Sequence, residues 1–302
     1  MPEKNADGQT AANYPIDDKF VSLIEDFKGL SYMQIYHLML GRYKSFPAES
    51  RIQFEEYCSK HPLWGSLCDA GDDHQVFENR AHALHEHWVD LLWLYYRLSD
   101  YRSRHILFAL VNNWYYFDLN SLKNVREHLY HENFDMDVLK CCKDEVFVDI
   151  GAYAGASVIK YINTYKDYKT IYCYEISPDN LSMLSKNLAK YKNITICPKN
   201  ASDKSDSDGA SVETTTIDED IEEPVTFIKI STMGDEQKAL AGCSAHIRGS
   251  KPKLAVSVHH KIENIWRIPR MLDEICPGYN FYLRYHGTSV FPTELSLLAT
   301  HE

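Results

Sequence analysis

The chain has 302 residues, 44% of them hydrophobic and 25% charged, which is the composition of a folded protein with room for one large domain or two ordinary ones. Its formal net charge of −11 argues against a nucleic-acid backbone or an anionic membrane surface as the main partner. The most apolar stretch, 88–98, is interrupted by Asp90 and Arg97, so no run is long enough to span a bilayer.

Residues 1–16 are rich in small and polar residues and are predicted to form a disordered tail. They lack the basic-then-apolar layout of a secretion signal. The eight cysteines include no CxxC pair, which makes a zinc or redox site a weak interpretation. Reduced thiols without a secretion signal predict a cytoplasmic protein.

Residues 17–140 carry apolar side chains at helical spacing and predict an all-helical N-terminal region. A long helix is predicted at about 75–98 and another at 103–114. We expect this region to cover a ligand crevice, to recognise an acceptor or to mediate a homodimer.

The aromatic residues of 88–116 are more often core than a sugar-stacking platform in helices of this kind. His82, His85 and His87 lie on the preceding turns but do not present three ligands on one helix face. No metal site is therefore expected.

The pattern changes near Glu145, where short β-rich runs alternate with helical ones. This alternation predicts an α/β fold of Rossmann type, with a mostly parallel sheet covered on both faces, over residues 141–302. No helix fits between the last two runs, so they are predicted to form an antiparallel pair at one edge. The predicted strands are 146–150, 170–175, 194–197, 225–231, 253–260, 279–286 and 294–300.

The segment 146–157 has the pattern of a strand, a glycine turn and a helix, with Asp149 near the strand end and Gly151 and Gly155 in the turn. Ligands bind beyond the carboxyl ends of the strands in open α/β sheets, and glycine lets the backbone approach them closely. Glu175 stands at the tip of the second strand, where a carboxylate accepts hydrogen bonds from ribose hydroxyls. Together these features predict a nucleoside site.

Two nucleoside cofactors compete for this site. The dinucleotide fingerprint needs a second glycine beside the pyrophosphate, and Tyr153 occupies that position. Asp149 suits a cationic amino-acid ligand better than an anionic one, so S-adenosylmethionine (SAM) is preferred to NAD. Replacing Asp149 by Ala is expected to abolish SAM binding with little loss of stability. The predicted SAM-binding residues are Asp149, Gly151, Ala152, Tyr153, Gly155, Glu175, Ile176, Ala201, Ser202 and Ser231.

Further sequence blocks follow one another in a familiar order, and on them the chain resembles the FkbM family of SAM-dependent methyltransferases. The resemblance covers roughly two thirds of the chain. It implies an O-methyltransferase that acts on a hydroxyl of a sugar, a glycan or another small-molecule natural product. The blocks are DEVFVDIGAYAG (144–155), YEISPDN (174–180), 226–242, KPKLAVSVHHK (251–261), WRIP (266–269), PGYNFYLRYH (277–286) and, upstream, 98–107 and HENFDMDVL (131–139).

The chain departs from the family pattern after the fourth strand. Ser231 and Met233 stand where the family usually has acidic residues, whereas Gly234 and Glu236 remain. The segment 200–214 is also shorter than is usual. These departures keep two alternatives open: a degenerate member that acts as a binding or regulatory partner, and a SAM-using enzyme of non-methylating chemistry.

Three residues are candidates for catalysis. His260 is predicted to be the general base because it ends the fifth strand and titrates near neutrality, and His259 is the second choice. Glu236 survives from the acidic block, although the start of a helix explains it better than catalysis does. Arg284 and His286 are explained either as the rim of an acceptor pocket or as an edge-strand surface.

Overall fold

The structure is a computed structural model. Helical structure begins at Pro15, inside the stretch predicted to be a tail (1–16), and residues 1–13 of that stretch lie outside the described residues. The described residues are 14–140, 142–206, 212–287 and 293–301.

The N-terminal region is helical, and in its described part only isolated bridges have β pairing before Val146. A helical region was predicted over 17–140, and the last helix of the region ends at Asn124. The helices are α1 (Pro15–Glu25), α2 (Tyr32–Lys44), α3 (Ala48–Lys60), α4 (Gln75–Arg97), α5 (Tyr101–Tyr116) and α6 (Leu119–Asn124), with short 3-10 turns at Pro62–Trp64 and Asp69–Gly71.

Local signals fix the helix ends. Asp100 begins α5 by accepting a hydrogen bond from the Ser103 amide at 2.7 Å, and Ser31 caps α2 in the same way. Helix α4 is interrupted at His87, whose φ of −121° and ψ of 17° are not helical. Neither proline nor glycine occupies that position, so the kink has a tertiary cause.

The aromatic side chains of α4 and α5 mostly form core, as predicted. Tyr95 and Trp114 are fully buried, and the Tyr95 ring stacks on Phe20 with centroids 4.0 Å apart. Tyr96 and Tyr116 are exposed on the outer helix faces. Most aromatic side chains of these two helices therefore contribute to core packing.

The C-terminal part is a seven-stranded sheet with helices between the strands. A separate pair of two-residue strands, β4 and β5, lies beside it. The strands are β1 (Val146–Ile150), β2 (Thr170–Tyr174), β3 (Ile194–Cys197), β4 (Asn200–Ala201), β5 (Thr214–Thr215), β6 (Phe227–Ile230), β7 (Lys253–Ser257), β8 (Tyr279–Tyr285) and β9 (Leu295–His301). The helices are α7 (Ala156–Tyr165), α8 (Pro178–Leu188), α9 (Ile217–Asp220), α10 (Glu236–Ala241), α11 (Ser244–Ser250) and α12 (Asn264–Ile275).

The strand order of the sheet is β3-β2-β1-β6-β7-β9-β8, and β9 runs antiparallel to both of its neighbours. This confirms the predicted α/β architecture and the antiparallel pairing of the last two strands. The final strand β9 lies between β7 and β8, so β8 forms the edge. Strand β7 ends at Ser257, three residues before the predicted end, because the chain turns there and carries His259 and His260 into the loop.

The helical region is docked on the sheet through α5, which packs along the edge strand β8. The Arg284 guanidinium of β8 is buried and paired with Asp100 at 2.9 Å and with Asp135. Nε2 of His286 donates to the carbonyl of Tyr130 at 3.2 Å. The acceptor-rim interpretation of Arg284 is therefore wrong, since this side chain joins two parts of the chain.

None of the helices within the described ranges has the length and apolarity needed to cross a membrane. Within those ranges there is also no cluster of three or more His, Cys, Asp or Glu residues arranged to hold a metal ion. The three histidines of α4 make separate contacts, which are His82 to Glu86, His85 to the Leu30 carbonyl and His87 to Asp90.

Gly151 lies where β1 and β6 come closest beyond their carboxyl ends. Its φ is +77°, and a Cβ atom at this position would lie 2.0 Å from the carbonyl oxygen of Ser231. Both the backbone conformation and the missing side chain are therefore required by contact between two segments of this chain.

We expect Gly151→Ala to lower the free energy of unfolding by about 2–3 kcal/mol or more, because Ala is strained at positive φ and its methyl group displaces the Ser231 backbone. Urea denaturation measures the change. Gly41→Ala is the control, since Gly41 lies inside α2 with nothing within 4 Å of the added atom, and we expect it to stabilise the protein by up to about 1 kcal/mol. Equal stability of the two variants would contradict the contact.

Candidate functional site

The carboxyl ends of four neighbouring strands form one edge of the sheet. Ile150 of β1 is in register with Tyr174 of β2 and Ile230 of β6, and Ile230 is in register with Val256 of β7. The loops that follow these strands carry nearly all of the residues predicted from the sequence. The sheet therefore brings the candidate cofactor and catalytic residues to one crevice.

Glu175 organises the loop that follows β1. Its carboxylate accepts hydrogen bonds from the amides of Tyr153 (2.9 Å), Ile176 (2.9 Å) and Ser177 (2.8 Å). An ionised carboxylate has room for about four hydrogen bonds, so one more donor fits here. The side chain is nearly buried, and its predicted position at the tip of the second strand is the observed one.

Asp149 is not open to the crevice, in contrast to the expectation that it contacts a ligand. Its side chain is fully buried, with one carboxylate oxygen 2.8 Å from Nζ of Lys229 and the other accepting from the hydroxyl of Ser157. The same Lys229 ammonium donates to the Gly151 carbonyl at 2.9 Å. An internal lysine thus occupies the place that the sequence analysis gave to a cationic ligand.

Three apolar side chains are exposed along this edge. Tyr153 after β1 is 43% exposed, Ile176 after β2 is 47% exposed, and Met233 after β6 is 59% exposed. Tyr153 and Met233 have φ values of +49° and +56°, a conformation that is strained for residues other than glycine. Three loops of the same sheet edge therefore each present one apolar side chain to solvent.

The remaining predicted cofactor residues are less accessible. Ala152 is buried, and Gly155, with φ +86°, packs against Leu184 of α8. Ala201 and Ser202 are also buried, with the Ser202 hydroxyl donating to Asp203. Ser231 is partly exposed beside Gly151.

Glu236 and His260 form a buried pair. Nδ1 of His260 lies 2.6 Å from a carboxylate oxygen of Glu236, which also accepts from the amides of Thr232 (2.8 Å) and Gly234 (3.2 Å). The other carboxylate oxygen accepts from the Asn264 side chain at 2.9 Å. Glu236 also begins α10, which is the second of its two interpretations from the sequence.

The pair has a defined proton arrangement. Burial raises the pKa of Glu236, but the hydrogen bond and charge of His260, with two backbone amides, outweigh burial and bring the pKa to about 2. An ionised carboxylate only accepts hydrogen bonds, so Nδ1 of His260 carries a proton. Whenever the ring is uncharged, its lone pair is therefore on Nε2, the form that a general base needs.

His259 is held in a different way. Its Nδ1 contacts the backbone of Leu295 at the start of β9, and its carbonyl accepts from the indole of Trp64 at 2.6 Å. Burial, followed by the charge of His260, lowers the pKa of His259 to about 4. A neutral ring held through Nδ1 by the backbone of Leu295 fits a structural role better than a catalytic one.

Sequence reasoning missed Lys229, Asn264 and Glu132. Glu132 lies in the segment before β1, and the next residue, Asn133, accepts a hydrogen bond from Ser296 of β9 at 2.8 Å. Burial raises the pKa of Glu132 most, and its electrostatic neighbours include Lys229. No spacing signal marks these residues, because their partners lie far away along the chain.

No protein-family model and no curated protein sequence matches the chain. Among solved structures it is similar to the methyltransferase FkbM from Methylobacillus flagellatus KT, with a TM-score of 0.68 and 23% identity over 84% of this chain and 71% of that chain. An rRNA methylase from Streptococcus thermophilus gives a TM-score of 0.43 and 11% identity over 58% of this chain and 99% of that chain. A precorrin-6y C5,15-methyltransferase from Geobacter metallireducens GS-15 gives a TM-score of 0.39 and 15% identity over 55% of this chain and 85% of that chain. The first likeness confirms the predicted resemblance at the level of the fold.

The buried Asp149–Lys229 pair changes the expectation for Asp149→Ala. We now expect this substitution to destabilise the protein by about 3–5 kcal/mol, because it leaves the Lys229 ammonium buried without its partner. Lys229→Met is expected to destabilise the protein in the same way, because it leaves the Asp149 carboxylate buried without its partner. The double variant Asp149→Ala/Lys229→Met is expected to cost less than the sum of the two single changes, by about 1–3 kcal/mol. Urea denaturation of the four proteins measures this coupling.

The exposed pair between Lys238 and Asp235 is the control for this cycle, and Lys238→Met is expected to change stability by less than about 1 kcal/mol. Strict additivity of the two buried substitutions would contradict the pairing of Asp149 with Lys229.

The low pKa of Glu236 predicts a pH dependence. Because the folded-state pKa of about 2 lies below the ordinary 4.5, its stabilisation is complete above pH 4.5 and is lost as the pH falls toward 2. Between pH 5 and 2 the wild type should lose about 3 kcal/mol more unfolding free energy than Glu236→Gln. Glu274→Gln, an exposed change on α12, should follow the wild type. Parallel curves for the wild type and Glu236→Gln would contradict the assignment.

Proposed function

We propose that this protein is a SAM-dependent O-methyltransferase that acts on a hydroxyl of a sugar, a glycan or another natural product. The observation that carries the proposal is the His260–Glu236 pair, which lies on the same sheet edge as the Glu175 loop. The FkbM-type fold and the shared sequence blocks support the same reaction class.

The crevice fits a nucleoside with an amino-acid extension. Glu175 has room for one more hydrogen-bond donor, as a ribose hydroxyl requires, and Ile176 offers an exposed apolar surface for a base. The hydroxyl of Thr232 is buried with no hydrogen-bond partner among the described residues, an unusual state that a polar ligand atom relieves. Asp149 contributes indirectly, since Lys229 links it to the Gly151 carbonyl. When bound, SAM supplies a methyl group already activated by its sulfonium charge.

His260 is the proposed base. Glu236 holds the proton on Nδ1 and fixes the ring, which leaves Nε2 to accept the proton of an acceptor hydroxyl. The imidazolium that forms is stabilised by the neighbouring carboxylate, as in other His–carboxylate pairs. A general base of this kind contributes about 10²–10⁴-fold, and positioning of the acceptor contributes more.

A second candidate function is a SAM-binding partner protein without turnover. The specific observation in its favour is the closure of Asp149 by Lys229, together with Met233 in the place of an acidic residue. Both candidates require the cofactor, and they differ in whether His260 contacts an acceptor.

Calorimetry with SAM and its demethylated product tests the shared requirement, and we expect both to bind. Turnover on a panel of hydroxylated acceptors, followed by mass analysis of the methylated product, then separates the two candidates. His260→Asn should keep cofactor binding and lower kcat by about 10²–10⁴-fold.

His259→Asn is the matched control, because the adjacent histidine is bonded to the backbone of β9. We expect its kcat to stay within about threefold of the wild type. Equal losses in the two variants would refute the base assignment, cofactor binding without any turnover would favour the partner protein, and absence of cofactor binding would refute both.

A further inference from the structure

A cleft of about 370 Å³ lies between α4 of the helical region and the loop that joins β7 to α12. Its volume falls within the range of about 300–1,000 Å³ that is typical of small-molecule sites. The sequence analysis assigned no function to it. The cleft is lined by Leu63, Trp64, Asn79, His82, Ala83, Glu86, His87, Lys261, Ile262, Glu263 and Trp266.

The cleft adjoins the His260–Glu236 pair. Lys261 follows His260 directly, and its side chain lines the cleft. The same side chain packs over Gly234, where an added Cβ would lie 3.1 Å from Cε of Lys261. Gly234 in turn donates its amide to Glu236. One lysine side chain thus connects the wall of the cleft with the turn that holds the catalytic pair.

The kink of α4 shapes one wall of the cleft. His87, the non-helical residue, stacks its ring on Trp266 with centroids 4.6 Å apart and an angle of 26°. Trp266 is 2% exposed, and its indole N–H has no hydrogen-bond partner among the described residues. The kink carries the His87 ring to the cleft wall, and the buried indole N–H of Trp266 lacks a partner among the described residues, which a polar ligand atom would supply.

We infer that this cleft binds the acceptor as a neutral pyranose ring, and that its neighbour His260 receives the proton from one hydroxyl of that ring. The inference rests on the proposed function and names the acceptor side of the same site. The indoles of Trp64 and Trp266 and the His87 ring stacked on Trp266 line the cleft and give it an aromatic wall.

The polar lining selects against charge. Glu86, Glu263 and the Asn79 side-chain oxygen accept hydrogen bonds from hydroxyl groups, because the Asn79 amide nitrogen is engaged by the Trp64 carbonyl at 2.8 Å. The lining holds the carboxylates of Glu86 and Glu263, the ammonium of Lys261 and the imidazoles of His82 and His87, with His82 lying 2.8 Å from Glu86. When both imidazoles are uncharged, the two carboxylates outnumber the single ammonium, so an acidic sugar is repelled. The lining therefore fits hydroxyl-rich, uncharged rings better than uronates or phosphorylated sugars.

The test is a titration of tryptophan emission in the full-length protein with methyl pyranosides of neutral hexoses and 6-deoxyhexoses, and with the matching methyl uronides. We expect saturable changes with neutral pyranosides and at least tenfold weaker binding of the uronides. Glu86→Gln/Glu263→Gln should weaken neutral binding about tenfold or more and reduce the discrimination against uronides. Reduced discrimination is a result that simple unfolding does not produce.

Glu78→Gln/Glu274→Gln is the matched control, since both residues are exposed on the same two helices outside the cleft. We expect it to bind like the wild type, and calorimetry should give equal SAM affinity for both double variants. No saturable change with any neutral pyranoside, or equal behaviour of the two double variants, would overturn the inference. Sugar binding without SAM binding would support the cleft and refute the proposed cofactor.

Discussion

The crevice depends on one buried ion pair. Lys229 of β6 reaches Asp149 of β1 and the carbonyl of Gly151, and so joins the two central strands where their loops diverge. Burying such an ion pair costs desolvation free energy that offsets its Coulomb attraction, and removing one partner is strongly destabilising. The pair therefore fixes the relative position of the two strands more than it adds to the stability of the fold. The close approach of Gly151 to Ser231 follows from the same junction. The neighbouring Glu175 then holds the β1 loop by its amides.

Much of the fold was predictable, because local sequence patterns such as apolar runs and glycine turns determine most of its strands and helices. Strand 146–150 has its predicted bounds since five apolar or buried residues are followed at once by a glycine at positive φ. Strand β7 was predicted three residues too long, because the apolar run 253–260 gives no local sign of the turn after Ser257. The site was predictable only to the level of the loops. Whether Asp149 meets a ligand or an internal lysine depends on a partner 80 positions away in the sequence, which no spacing rule reveals.

The proposed catalytic pair, His260 and Glu236, shows the same limit of prediction from local sequence. His260 and Glu236 were each singled out for separate reasons, one as a strand-end histidine and the other as the survivor of an altered block. In the structure the two side chains contact each other at 2.6 Å. Asn264, at the start of α12, donates a further hydrogen bond to Glu236. The loss of acidic character at Ser231 and Met233 is therefore compatible with a base that lies elsewhere on the edge.

The indole of Trp64, in the helical region, donates to the carbonyl of His259 in the loop beyond β7. This hydrogen bond joins the wall of the cleft to the backbone next to His260. It is a direct contact between the helical region and the sheet region of the chain. In the proposed complex the acceptor would meet a cleft wall that is already joined to the backbone next to His260. Variation among relatives at the 3-10 turn of Trp64 would consequently retune reactivity and acceptor choice together.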